Sequence, residues 1–260
     1  MSLFAVALVL GACFTHAVWN LLSKRIAATP AFFWVANAAA IVLTAPLFAL
    51  TVAGEVPHLP GRVWLCVAAA GVFEGLYFVF LAWAYRHGDV SVVYPLARAA
   101  PIFLILAVDL MLGRFPTGFA AVGMVLVGVG CFILPLRRLR IGPDGLAWRN
   151  YANRGSLWAG AVGLCISGYS VTDNYGVDLI QAAVPELRGA FLYGCLVWVS
   201  AATVLLVGVL LSEGAGAIAR AWRTERRNSI IVGVLLFSTY LLILWAYAHT
   251  EVVAYAAGLR

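Results

Sequence analysis

Charged residues make up only 11% of this 260-residue chain, and Lys24 is the single lysine among its 17 basic side chains. A soluble domain of this length needs far more charge to cover its surface. With 64% hydrophobic residues and a mean hydropathy of +0.98, the chain reads as an all-α integral membrane protein. Cysteine pairs are also missing: Cys13, Cys66, Cys131, Cys165 and Cys195 each fall alone inside an apolar run, as buried small hydrophobes do, and no disulfide or redox compartment follows. The four histidines are scattered without metal-ligand spacing, and neither a nucleophile elbow nor a phosphate loop occurs, so no enzyme, metal or cofactor is expected. The first twenty residues lack a basic start, which argues against a cleaved signal peptide. The net charge of +6 does not point to nucleic acid, because the arginines sit mostly in short connections between apolar runs, where basic residues set topology.

What is present is an internal repeat. Trp83 to Arg98, WAYRHGDVSVVYPLAR, is matched by the last sixteen residues, WAYAHTEVVAYAAGLR, at six positions: Trp83/Trp245, Ala84/Ala246, Tyr85/Tyr247, His87/His249, Val90/Val252 and Arg98/Arg260. About one match is expected by chance, so the chain is duplicated. Duplicated halves in a chain this apolar suggest a transporter with a site between them. About 38 residues follow Arg98 before the first half closes and none follow Arg260, so the second half is expected to be incomplete.

The apolar runs, each near the ~20 residues a crossing helix requires, are Leu3 to Leu22, Ala31 to Val52, Val63 to Tyr85, Val90 to Leu112, Thr117 to Leu136, Ser156 to Gly176, Leu187 to Leu211 and Ser229 to Ala248, with a ninth beginning at Glu251. The fifth carries Gly123, Gly128 and Gly130, whose spacing suits close helix contact. The expected architecture is therefore a ten-helix bundle of two inverted five-helix repeats, its last two helices largely missing from this chain. Residues 1–136 form the first repeat, 137–155 an arginine-rich connector, and 156–260 a second repeat truncated in its fourth helix.

Polar groups inside these runs are the candidates for function, since each costs about 2.5–3.5 kcal/mol at the bilayer centre unless satisfied. On the first span His16 and Asn20 are one turn apart with Trp19 beside them, either a cavity wall or an interfacial cluster near Lys24. On the third, Glu74 lies mid-run near Tyr77. A carboxyl there is either neutral or ionised against a cation, and the cation well inside another span is Arg98, four residues after Tyr94. Pro95 and Pro101 flank that arginine and can bend its helix. Asp109, further along the same stripe, is expected at a solvated helix end. On the sixth span Tyr169, Asp173 and Asn174 crowd into GYSVTDNYG, in the place His16 to Asn20 hold in the first half, and either contact substrate or mark the water interface. Tyr240 is the counterpart of Tyr77, as ligand or packing.

Three segments resemble the EamA-type transporters of the drug/metabolite transporter superfamily: HAVWNLLSKR at His16 to Arg25, AYRHGDVSVVYPLAR at Ala84 to Arg98, and LGRFPTGFAAVGMVLVGVG at Leu112 to Gly130. Arg114 stands near a place where that family usually has an acidic residue. The resemblance implies two inverted five-helix repeats and a secondary carrier of small organic metabolites, working in export by alternating access, with or without proton coupling. The competing readings are an intramembrane enzyme or lipid-carrier flippase using Arg98 for a phosphate, and an inactive fragment. Expected partners are the lipid bilayer and a small-molecule substrate, with a homodimer left open, in the cell (inner) membrane.

Topology follows from counting. Connections after the first, third, fifth and seventh spans hold twelve basic residues (Lys24, Arg25, Arg86, Arg137, Arg138, Arg140, Arg149, Arg154, Arg220, Arg223, Arg226 and Arg227), and the alternate connections hold three, Arg62, Arg114 and Arg188. Basic residues in short loops stay cytoplasmic, so the amino terminus is predicted to face away from the cytoplasm. A cysteine introduced in the Arg137 to Arg154 connector should resist membrane-impermeant labelling in intact cells; efficient labelling from outside would overturn the assignment.

Overall fold

A computed structural model of the chain describes residues 2–26, 28–88, 90–133 and 152–249, and these are helical with no strand. Of the connector 137–155, residues 137–151 lie outside the described residues, as does the second copy of the repeat from residue 250 onward. Eight long helices follow one another: α1 (Leu3–Arg25), α2 (Pro30–Thr51), α3 (Gly61–His87), α4 (Val90–Met111), α5 (Gly118–Ile133), α6 (Arg154–Gln181), α7 (Glu186–Ser212) and α8 (Gly216–Tyr247). All eight apolar runs form helices. Six of them (α1, α2, α3, α4 from Val92, α7 and α8) are long and apolar enough to cross a membrane. The 28-residue α6 is not among these six; Ser167, Ser170, Thr172, Asp173 and Asn174 fall within it.

Local sequence sets the ends. Ser2, Thr29 and Asn153 cap α1, α2 and α6 by accepting from Ala5, Phe32 and Ser156 amides at 3.1, 3.2 and 2.9 Å, which satisfies orphan donors of each first turn. Pro30 supplies the preset φ at the start of α2. The α6–α7 turn places Glu186 at φ +53°, a conformation unusual for a side chain bearing Cβ. The Gln181 amide holds it there, accepting from the Glu186 N–H and donating to its carbonyl.

The helix ends sort into two layers. Ala28 to Pro30, Trp83, Arg86 and Glu213 line one shared cavity, and the Glu213 carboxylate accepts from the Ala31 amide at 2.9 Å, an anion at the positive end of α2. Gly88 and Gly155 lie against each other at the same end. At the other end Arg188 donates to the Thr51 carbonyl and to Glu55. The described basic residues of the odd-numbered connections therefore share one end and those of the even-numbered connections the other.

The first five helices pack on the last three. α1 and α2 lie on α8, α2 and α3 on α7, and α3 and α4 on α6, while α5 is held by α4. Glycines allow the close contacts. Gly71 and Gly75 of α3 face Ser200, Ala201 and Val204 of α7, and a Cβ on Gly233 of α8 would lie 2.1 Å from the Ala36 carbonyl oxygen of α2. Of the three α5 glycines, Gly128 sits beneath the Phe103 ring of α4, whereas Gly123 and Gly130 face open space. Large rings fill the interior between the halves, with Phe33 and Phe78 at 5.2 Å and Trp198 and Tyr240 at 5.2 Å.

Gly233→Ala forces a methyl into backbone, so it should destabilise by about 1–3 kcal/mol despite alanine's better helix propensity. Gly123→Ala, in open space, should be neutral or stabilising by up to about 1 kcal/mol. Melting in detergent separates the two, and equal stability of Gly233→Ala and the parent would contradict the α2–α8 contact.

Candidate functional site

The helix spacing of His16 and Asn20 puts both on the inner face of α1, with Trp19 edge-on to the imidazole at 4.7 Å. The Asn20 amide nitrogen donates back to the His16 carbonyl at 3.0 Å, which turns its oxygen outward to accept from the Tyr85 hydroxyl of α3 at 3.0 Å. His16 Nε2 meets the Arg98 guanidinium of α4. A guanidinium only donates, so a hydrogen bond between the two needs the imidazole nitrogen as acceptor. The Arg98 guanidinium also lies 5.5 Å from the centre of the Tyr94 ring, within cation–π range. This joins His16, Trp19 and Asn20 of the first span to Tyr94 and Arg98 of the fourth, a grouping the sequence did not suggest, and adds Tyr85. The helix α4 is continuous through Pro95 and Pro101.

A second constellation is centred on Asp173 of α6. One carboxylate oxygen accepts from the Tyr193 hydroxyl of α7 at 3.2 Å and the other from the Tyr240 hydroxyl of α8 at 2.9 Å. Gly176 makes room for this, since the Tyr193 ring lies where a Cβ at 176 would stand. Next to it, Asn174 accepts from Arg114 Nη1 at 2.7 Å, while its own amide nitrogen has no hydrogen-bond partner among the described residues. Asp173 and Asn174 are each 1% exposed, so neither marks a water interface. Asp109 is corrected in the same way: it is 1% exposed, and beyond it the chain turns at Gly113, where Arg114 N–H donates to the Asp109 carbonyl at 2.8 Å.

Between these constellations lie Glu74, Tyr77 and Tyr169, all buried. Tyr77 of α3 meets Tyr169 of α6 edge-on at 6.0 Å. The levels can be ordered along α6. Gly88 touches Gly155 and Phe73 covers Gly168, so α3 and α6 are antiparallel and Glu74 stands near residue 168. Gly163 packs on Ala97 and Ala100, which sets Arg98 near residue 163. At 1.5 Å per residue, Arg98 and Asp173 are about 15 Å apart along the axis, with Glu74 about halfway.

Sequence reasoning missed several members. Tyr193 looks like one more aromatic in an apolar run, and Asn37 of α2, fully buried with both amide atoms lacking a partner among the described residues, passes unnoticed in WVANAAA. A lone polar residue in a crossing helix is the signal both offered. Thr15 and Thr239, joined at 2.7 Å between α1 and α8, gave none.

The model of the EamA-like transporter family, which lies within the drug/metabolite transporter superfamily, matches residues 3–135. No curated protein and no solved structure matches the chain.

Each tyrosine hydroxyl on Asp173 is a hydrogen bond to a carboxylate, so Tyr193→Phe and Tyr240→Phe should each lower stability by about 1.5–3 kcal/mol. In an Asp173→Asn background the same changes should cost less. A melting series over the resulting double-mutant cycles checks this, and zero coupling in both would remove Asp173 as the common acceptor.

Proposed function

We propose that this chain, which belongs to the EamA-like transporter family, is a secondary carrier that exports a small organic metabolite by alternating access. The family consists of membrane transporters rather than enzymes. The observation that supports the reading is the placement of three ionisable residues, the half-buried Arg98 and the buried Glu74 and Asp173, at successive levels of the interface between the first five helices and the last three. Carriers built from repeats bind at such an interface, near the midplane.

In this reading His16, Trp19, Asn20, Tyr94 and Arg98 receive the substrate at the arginine-rich end. Arg98 meets an imidazole and a tyrosine ring rather than a carboxylate, which leaves its charge available to an anionic group of the substrate. Asp173 with Asn174 and Tyr240 forms the station at the other end, and Tyr77 and Tyr169 are the aromatic contacts between them. Glu74, at the middle level, carries the proton that couples the cycle. Residues 1–136 and 156–260 are the two inverted halves, the connector faces the cytoplasm, and the protein resides in the cell membrane.

The test separates coupling from binding. Glu74→Gln keeps shape and hydrogen bonding, so in vesicles it should lose proton-driven substrate movement by at least about tenfold while substrate counterflow persists. Arg98→Gln should lose both, with folded yield followed in parallel because the partner His16 stays in place. Normal proton-driven transport by Glu74→Gln would eliminate the coupling role, and normal counterflow by Arg98→Gln would eliminate the anion site.

A further inference from the structure

The start of α8 takes no part in the pathway above. Glu225, at φ −125° and ψ 16°, breaks the helix and separates a short basic segment from the apolar part that crosses the membrane. Before the break Ala217 and Ala221 are buried, whereas Arg220 and Arg223, and just past it Arg226 and Arg227, are exposed. Nearby carboxylates are occupied elsewhere: Glu213 accepts from the Ala31 amide and Glu225 from Asn228 Nδ2 at 2.7 Å. Among the described residues no ion pair joins these four arginines to an acid. Four exposed guanidiniums against one carboxylate, Glu225, therefore gather where the chain enters the bilayer.

An apolar groove of about 330 Å³ lies beside them between α2 and α8, lined by Trp34, Val42, Leu43, Ile218, Trp222 and Ile230 among others. Its wall is fixed, because Trp34 Nε1 donates to the Ala202 carbonyl of α7 at 3.1 Å. From Trp34 to Leu43 the groove follows α2 for about 13 Å, toward the bilayer interior. Arg226 stands one helical turn before Ile230, which lines the groove, and on the same side of the break at Glu225, so a basic side chain adjoins the apolar lining.

We propose that the groove and the Arg220–Arg227 segment form a binding site for one anionic glycerophospholipid, its acyl chain in the groove and its phosphate on the arginines. The charge is what selects the ligand. A planar guanidinium takes phosphate oxygens in pairs, a basic amphipathic segment at an interface is drawn to anionic lipid, and a zwitterionic headgroup would bring its ammonium among four arginines and a single carboxylate, Glu225. The site does not depend on the carrier reading, since none of its residues belongs to the proposed pathway.

Purified full-length protein in neutral detergent is titrated with dioleoyl phosphatidylglycerol or dioleoyl phosphatidylcholine, and melting is followed. Phosphatidylglycerol should raise the melting temperature saturably, and 0.5 M salt should weaken its binding. Each arginine is worth about fivefold near a membrane surface, so Arg223→Gln, Arg226→Gln and Arg227→Gln together should weaken binding on the order of a hundredfold. Ala39→Trp, which fills the groove without touching the charge, should weaken it as well. Single Arg226→Gln serves if the triple variant misfolds, with an expected loss of about fivefold. Equal stabilisation by phosphatidylcholine, unchanged affinity in the arginine variants, or full competition by glycerol phosphate, which lacks a chain, would each overturn the proposal.

Discussion

A guanidinium or carboxylate inside a hydrocarbon layer has no water to solvate it, so the protein must bring a partner to each one or lose several kcal/mol. In this chain the hydrogen-bonding partners of Arg98 and Asp173 come from other helices, and Tyr94 adds a ring from Arg98's own helix. Arg98 of α4 finds His16 and Tyr94, and Asp173 of α6 finds Tyr193 of α7 and Tyr240 of α8. Each bond fixes the rotation of the helices that contribute to it, because a side chain on a helix reaches a partner only from one face. With rotation fixed, Gly71 and Gly75 face α7 and Gly233 faces α2, and the backbones close to distances that any other residue would prevent.

The packing follows the pattern a duplication would give. If α1, α2 and α3 correspond to α6, α7 and α8, the contact of α1 with α8 is the counterpart of α3 with α6. That of α2 with α8 likewise mirrors α3 with α7, and α2 with α7 maps onto itself; all of these contacts are present. The aromatic pairs at the contact between the halves, such as Tyr77 with Tyr169 and Phe78 with Trp198, bring residues more than ninety positions apart in sequence together.

Element boundaries were legible because a crossing helix is nearly a compositional object, and all eight runs became helices between their basic or proline-rich ends. The site was legible where a polar residue stood alone in an apolar run, as with His16, Glu74 and Arg98. Pairing was not, because it depends on helix rotation and level. Sequence offered Glu74 as the partner for Arg98, while the fold gives that guanidinium to His16. Asp173 and Asp109 looked solvated because each lies within a few turns of a helix end, yet both are buried, and Tyr193 of α7 and Tyr240 of α8 reach across to Asp173. Tyr193 was lost among tyrosines that only pack.

The distance between the charged stations also determines how they can act. Two unit charges about 15 Å apart in an effective dielectric near 20 interact by about 1 kcal/mol, whereas a single hydrogen bond to a charged group is worth about 1.5–3 kcal/mol. Local partners therefore outweigh any direct attraction between Arg98 and Asp173. A ligand that displaces His16 from Arg98 must replace that bond at once, but it leaves the Asp173 cluster nearly unchanged. Glu74 is different, because its distance to either station is about half as long and its interaction with each about twice as large. A change of its charge is felt at both levels together, which makes the mid-level carboxyl, rather than Arg98 or Asp173, the group able to link what happens at the two ends.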